Sequence, residues 1–389
     1  MIPYGRQEIT KEDILEVEKV LKSDFLTQGP VVPKFEKAAF KYCGARHAVA
    51  VNSATSALHI ACLALNLKPN DYLWTCPNTF VASANCGIYC GANIDFVDID
   101  PKTYNMSTDA LSAKLAEAEK LDKLPKIVIP VHFAGQPCDM KKIYKLSKKY
   151  GFRIIEDASH AIGASYDDIK IGSCKFSDIT IFSFHPVKII TTGEGGMALT
   201  NDKNLANHMR RLSTHGITKE KELMHPRPNN EIWNYQQIEL GFNYRLTDIQ
   251  AALGLSQLNR LDGYVKIRHK IAEFYNSELN GLDIQLPFQA PKSYSSHHLY
   301  PIRIKNNLKS KTQKQIYNAL WDNDIAANIL YIPVHRQPYY ENLGFKSGDF
   351  PEAEQFHREV ICLPMFPKLT KEQQTKVVKS LKLILKGKV

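Results

Sequence analysis

From residue 45 onward, short runs of β-branched and aromatic residues alternate with longer stretches whose apolar positions recur every three or four residues. These are the two periods that separate strands from helices. The strand pattern falls on residues 47–52, 72–75, 95–98, 126–131, 153–158, 179–182 and 197–200, and the helical pattern on residues 57–65, 79–91, 108–118 and 140–150 between them. Strands separated by helices predict right-handed crossovers and a mostly parallel sheet covered on both faces. Upstream, Thr10 followed three positions later by Asp13 predicts a capped N-terminal helix over residues 10–22, with Ile14, Val17, Val20 and Leu21 at helical spacing. Residues 25–30, FLTQGP, are turn-rich and too short to form a unit alone, so they are expected to lie across the rest. Residues 241–246, GFNYRL, are expected to open a long helix through residue 261, a link to a second unit in which strand and helix signals mix. The organisation expected is a segment of residues 1–30, a large α/β domain over 31–255, and a linker helix with a smaller α/β domain over 256–389.

The densest candidate chemistry lies in residues 176–197, FSDITIFSFHPVKIITTGEGGM, with Lys188 between a strand and a turn of small residues. Taken alone, Lys188 is compatible with a solvated lysine, the common fate of that side chain. One strand upstream, RIIEDA ends in Glu156 and Asp157. An acid at one strand end and a lysine beyond the next strand meet at the carboxyl edge of a parallel sheet, where open α/β folds bind ligands. Pyridoxal phosphate uses such a pair: an amine to condense with its aldehyde and a carboxylate to keep its ring nitrogen protonated. An ordinary lysine, with a pKa of about 10.4, reacts poorly at neutral pH unless desolvated or set near positive charge. Ser53-Ala54-Thr55-Ser56, ahead of a helix, is either an ordinary cap or a cradle for a phosphate. Phe80, at the same sheet edge, is either a core aromatic or a ring covering a flat cofactor.

Composition narrows the classes. With 44% hydrophobic and 23% charged residues over 389 positions, the chain has the make-up of a globular protein with a sizeable core. No apolar run approaches the roughly 18 residues of a membrane span, and the N-terminus has no apolar signal core, so a cytoplasmic protein is expected. The eight cysteines include no C-x-x-C pair, which argues against a zinc knuckle or a disulfide framework; no metal is expected. A formal charge of +10 raises nucleic acid as a partner, but the excess is spread along the chain without a finger or helix-turn-helix pattern. An anionic small substrate or plain basic composition accounts for it equally well.

Together, NSATSALH at Asn52, EDASHA at Glu156, FSFHPVK at Phe182, TTGEGG at Thr191 and GFNYRLTDIQAALG at Gly241 resemble the DegT/DnrJ/EryC1/StrS family of sugar aminotransferases, over essentially the whole chain. The resemblance implies the fold type I architecture of pyridoxal-phosphate transferases, with the cofactor in the 31–255 domain and residues 1–30 packing across the active site. Further likeness, in FLTQG at Phe25 and HHLYP at His297, is to the branch that aminates C4 of a UDP-linked 4-keto-6-deoxy-N-acetylhexosamine in pseudaminic acid biosynthesis, with L-glutamate as donor.

Carried over residue by residue, the resemblance implies Lys188 as covalent anchor and proton carrier, and Asp157 as partner of the ring nitrogen. Ala54, Thr55 and Ser183 would hold the phosphate, Phe80 would stack on the ring, and His160 would sit near the phenolic oxygen. Asn243 matches the residue that reaches the phosphate of a neighbouring subunit, implying a homodimer with shared sites. Tyr4, Leu26, Thr27, Tyr331, Ile332, Pro333, Val334 and His335 match positions near the sugar nucleotide. Relatives acting on GDP- or dTDP-linked sugars share these motifs. Some members carry histidine in place of the lysine and act as dehydratases, so Lys188 points to transamination. A basic, non-catalytic binding protein is the alternative from another class, and neither membrane nor nucleic acid is expected as a partner.

Overall fold

The computed structural model describes residues 1–226, 231, 233–304 and 311–386. Its centre is a seven-stranded sheet in the order His47–Val51, Gly196–Thr200, Ile179–Ser183, Arg153–Asp157, Ile127–Ile129, Tyr72–Thr75, Asn93–Phe96. Every neighbouring pair is parallel except the two made by Gly196–Thr200, which runs against both its neighbours. The reason lies in its connection: residues 184–195 contain no helix, and without a crossover the chain can return only antiparallel.

The side chains alternate between two covered faces. Val49, Val51, Ile155, Ile179, Ile181 and Ala198 pack with the helices Ala54–Ala64 and Lys203–Leu212. Ala48, Ala50, Phe182, Met197 and Leu199 pack on the other face with Phe35 of Val31–Cys43 and Ala251 of Asp248–Leu258. Strands buried on both sides are what helices on both faces require. Because Asp157 is in register with Ile181 of the parallel neighbour, Asp157 and the loop carrying Lys188 leave the sheet at the same edge.

The C-terminal part has a core of its own. A three-stranded antiparallel sheet of Ile284–Gln285, Tyr300–Ile304 and Val360–Leu363 is covered by residues of the helices Leu261–Leu279, Gln313–Asp322 and Lys371–Leu385. The N-terminal residues join it: Ile2 bridges Ile325, and the carbonyl of Tyr4 accepts from the amide of Met365 at 2.9 Å. The helix Lys11–Leu21 has the expected capping box, and its buried Asp13 accepts from Ser256, Gln257 and Arg260 at 2.6–2.7 Å. Among the described residues no helix is long and apolar enough to cross a membrane.

Two expectations are corrected. Residues 241–246 do not open a helix: they are extended, with bridges Thr214–Asn243 and Val51–Arg245. A Cβ on Gly241 would lie 2.0 Å from the amide of Gly216, so that close approach needs a glycine. The helix starts at Asp248, where Thr247 and Gln250 form a capping box, and it stops at Leu258 before a separate helix, Leu261–Leu279. The helix expected over 79–91 is Ala82–Tyr89, which leaves Phe80 in the turn ahead of it.

Candidate active site

At the carboxyl edge of the sheet lies a cavity of about 470 Å³. One wall is the start of Ala54–Ala64. Ser53 caps that helix: its hydroxyl accepts from the amide of Ser56 at 3.1 Å and its carbonyl from that of Ala57 at 3.1 Å. The amides of Ala54 and Thr55 are left without a protein partner among the described residues, and both residues line the cavity. Two free amides at a helix N-terminus form an anion cradle. Gly196 completes it, because a Cβ there would lie 2.4 Å from the amide nitrogen of Ala54. Ser183, at the end of its strand, adds a hydroxyl-bearing side chain to the same cavity.

The floor is acidic. Asp157 is buried; its Oδ2 accepts from the hydroxyl of Ser83 at 2.6 Å and its Oδ1 from the amide of Ser159 at 3.0 Å. Facing it is Lys188, whose ammonium pKa falls to about 8, because the desolvation of a largely buried amine outweighs the attraction of Asp157. A lysine depressed by burial is the state that a carbonyl-condensing amine requires.

The third side is a cluster of buried, neutral rings. His160 Nε2 is 3.1 Å from the hydroxyl of Tyr331, and the His160 ring lies 4.3 Å from that of His298. Burial first, and then nearby Lys188, push the pKa of His160 well below the ordinary histidine range. His298 is pushed the same way by burial and then by His160. The Nδ1 atoms of both are buried without a hydrogen-bond partner among the described residues. Phe80 is 59% exposed at the cavity, 6.4 Å ring to ring from Tyr331, and therefore not a core aromatic. Tyr4 enters from the N-terminal segment, with its hydroxyl pKa raised by burial.

The structure thus brings Tyr4, Ala54, Thr55, Phe80, Asp157, His160, Ser183, Lys188 and Tyr331 to one cavity. Six residues expected near a substrate lie elsewhere. The carbonyl of Leu26 accepts from the amide of Asp248 at 3.0 Å, and Thr27 bridges Thr247; both are away from the cavity. Ile332 and Pro333 border a separate surface hollow. Val334 is fully buried in the core, and so is His335, which meets Glu354 at 3.0 Å; the expectation that these two touch a substrate is corrected. Asn243 is exposed and outside the cavity of its own chain. Ser83, Ser159, His185, Glu194 and His298 contribute to the site although the sequence reading assigned them no role.

Pyridoxal phosphate fits these residues. A buried carboxylate is available for the ring nitrogen, a depressed amine for the aldehyde and a pair of free helix amides beside Gly196 for the phosphate. The unpartnered Nδ1 of His160 is a buried polar atom still in need of a ligand.

The sequence profile of the DegT/DnrJ/EryC1/StrS aminotransferase family matches residues 7–382. The chain is 37% identical to the UDP-4-amino-4,6-dideoxy-N-acetyl-beta-L-altrosamine transaminase of Campylobacter jejuni (strain 81-176) over 366 residues, 94% of this chain and 92% of that one. It is 36% identical to the GDP-perosamine synthase of Caulobacter vibrioides, covering 92% and 91%. Helicobacter pylori PseC, an aminotransferase of pseudaminic acid biosynthesis, superposes with a TM-score of 0.89 at 31% identity over 99% of both chains. A putative sugar aminotransferase of Streptococcus pneumoniae, Spr1654 in its PMP form, superposes at 0.90 with 29% identity over the whole of both chains.

Proposed function

The chain belongs to the DegT/DnrJ/EryC1/StrS aminotransferase family, whose members use pyridoxal phosphate to aminate sugar nucleotides, and from that premise we propose a specific reaction. It transfers the amino group of L-glutamate to C4 of a UDP-linked 4-keto-6-deoxy-N-acetylhexosamine, in nucleotide-sugar biosynthesis leading to pseudaminic acid. The observation that carries this reading is the likeness to the Campylobacter transaminase, whose name specifies an amine at C4 of a UDP-linked dideoxy N-acetyl sugar. An amine installed there by transamination requires a ketone at the same carbon beforehand.

Pyridoxal phosphate, when bound, supplies an electron sink for the carbon that bears the amino group. The protein supplies the rest. Asp157 would hold positive charge on the ring nitrogen, and the Ala54 and Thr55 amides with Ser183 would hold the phosphate. Phe80 would cover the ring, and His160 would serve the phenolic oxygen. Lys188, half in its free-base form near pH 8, accepts a proton at Nζ and returns it on the other side of the transfer. The neutral rings of His160, His298 and Tyr331 exclude water from that wall.

A panel of UDP-, GDP- and dTDP-linked keto-sugars with L-glutamate, resolved by product mass, tests the reading. Amination of the UDP-linked 4-keto substrate alone is expected. Preference for a GDP-linked sugar would replace this reading with the chemistry named for the Caulobacter relative.

The working unit proposed is a homodimer with shared sites. Among the described residues no arginine lines the cavity, and its three histidines include two held neutral, so a single chain offers little positive charge to dianionic substrates. Asn243, exposed and away from its own cavity, is free to reach a second one. Mixing inactive Lys188→Ala subunits with subunits disabled at Asn243 should restore activity, because a mixed dimer then has one intact site. No recovery would place Asn243 in service of its own chain.

A further inference from the structure

Behind Asp157 stands a short relay of buried hydroxyls. Thr79 Oγ1 lies 2.9 Å from Ser83 Oγ, and Ser83 Oγ lies 2.6 Å from Asp157 Oδ2. All three side chains are buried. The direction of both bonds follows from the inventory of protons. An ionised carboxylate only accepts, so the single Ser83 proton must go to Asp157. The oxygen of Ser83 is then free to accept, and Thr79 must be its donor.

The relay is also tied to the cavity wall. Thr79 and Phe80 line the cavity, and the amide of Ser83 bonds the carbonyl of Phe80 at 3.3 Å. One turn therefore presents an aromatic ring to the cavity and a hydroxyl to the acid beneath it. On the other oxygen, the Ser159 amide fixes Oδ1. With one donor on each oxygen, rotation of the carboxylate would break both bonds.

We propose that Ser83, polarised by Thr79, is a positioning residue for transamination: it holds Asp157 as an anion in a single orientation, so that the cofactor's ring nitrogen keeps its proton. A charge-assisted bond of this kind is about twice as strong as a neutral one, and a donor that itself accepts from a second hydroxyl is stronger still. Replacing Ser83 with an apolar residue leaves one carboxylate oxygen buried without a donor, and the proton shared with the ring nitrogen moves toward that oxygen.

The test uses the full-length apo-protein reconstituted with pyridoxal phosphate isotopically labelled at its ring nitrogen, whose chemical shift reports whether that nitrogen carries a proton. Ser83→Thr keeps the hydroxyl; Ser83→Val keeps the shape of threonine and removes it. In Ser83→Val the nitrogen signal is expected to move toward the unprotonated position, equilibrium cofactor binding to weaken by roughly tenfold, and kcat to fall by more than KM rises. Ser83→Thr is expected to recover all of these. A wild-type nitrogen signal and wild-type cofactor affinity in a folded Ser83→Val protein overturn the proposal. Should that variant fail to fold, Thr79→Val carries the test, with a smaller shift in the same direction expected and no shift overturning it. The proposal rests on assigning Asp157 to the ring nitrogen, and Asp157→Asn separates the two. A nitrogen that stays protonated without Asp157 removes that assignment, whereas a signal that moves in Asp157→Asn but not in Ser83→Val removes only the role of Ser83.

Discussion

Glu156 and Asp157 are adjacent carboxylates on one strand, both buried, and they face opposite sides of the sheet. Glu156 takes three donors from the protein: Oε2 meets His132 Nε2 at 2.8 Å, and Oε1 accepts from Ser177 at 2.5 Å and Thr180 at 3.1 Å. The amide of Cys138 donates to His132 Nδ1 at 3.1 Å, so Nε2 carries the proton and the pairing has a defined direction. Among the described residues Asp157 has one donor on each side-chain oxygen, and it borders an open cavity. A buried carboxylate held by three protein donors braces a fold, whereas one left with more capacity beside a cavity is available to a ligand.

Breaking the open side should cost activity, and breaking the closed side should cost stability. The largest effect is expected for Lys188→Ala, which removes anchor and proton carrier together: kcat should fall by more than about a thousandfold in a protein that remains folded. Turnover near the wild-type rate would mean that another lysine is the anchor. Asp157→Asn should follow, still binding cofactor but losing roughly a hundredfold or more in rate, since an amide cannot stabilise positive charge on the ring. Near-normal turnover there would sink its assignment.

Glu156→Gln is the mirror experiment. The new amide nitrogen, if turned to His132, sets donor against donor, and if turned away it meets the hydroxyls of Ser177 and Thr180. A loss of about 2–4 kcal/mol in chemical denaturation is expected, with the activity of the folded fraction near wild type. A catalytic defect without a stability defect would erase the distinction between the two faces.

The smallest effect sharpens the comparison by pH. Below pH 8 the Lys188 amine is protonated and cannot react with an aldehyde, so the rate of cofactor uptake by apo-protein should rise through pH 8 and then level off. The same shift has a stability sign: above the folded pKa and below that of an unfolded lysine, the unfolded chain binds the extra proton, so stability should rise with pH. In Lys188→Met both slopes should vanish. An uptake rate that is flat from pH 7 to 9 would show that this amine is not depressed.

Much of the site was legible because it is built at strand ends. The strand period identifies where a strand stops, and side chains just past neighbouring parallel ends share one edge; that placed Asp157 and Lys188 together, while their pairing on a cofactor rested on the further motifs and the resemblance. The cap at Ser53 was equally local, since a capping serine and a helix start lie within four residues, but the local sequence leaves open the choice between plain cap and anion cradle. What could not be read involved burial decided at a distance. Val334 and His335 sit in a stretch whose first member, Tyr331, does reach the cavity. Only the packing of Glu354 and Phe350 against His335 turns the later residues inward. The helix expected at Gly241 was lost to pairing with residues far apart in sequence, Val51 and Thr214.

By itself the sequence determined the succession of strands and helices, the cap at Ser53 and the two chemical groups at one sheet edge, because periodicity, capping and strand register are set by neighbours a few residues apart. The tertiary structure alone decided which way Gly196–Thr200 runs and which of the eight residues expected near a substrate reach the cavity, Tyr4 and Tyr331. It also decided that a hydroxyl seventy-four positions upstream of Asp157 would hold that acid. Each of these depends on which surfaces exclude water together, and that is a property of the folded chain rather than of any segment of it.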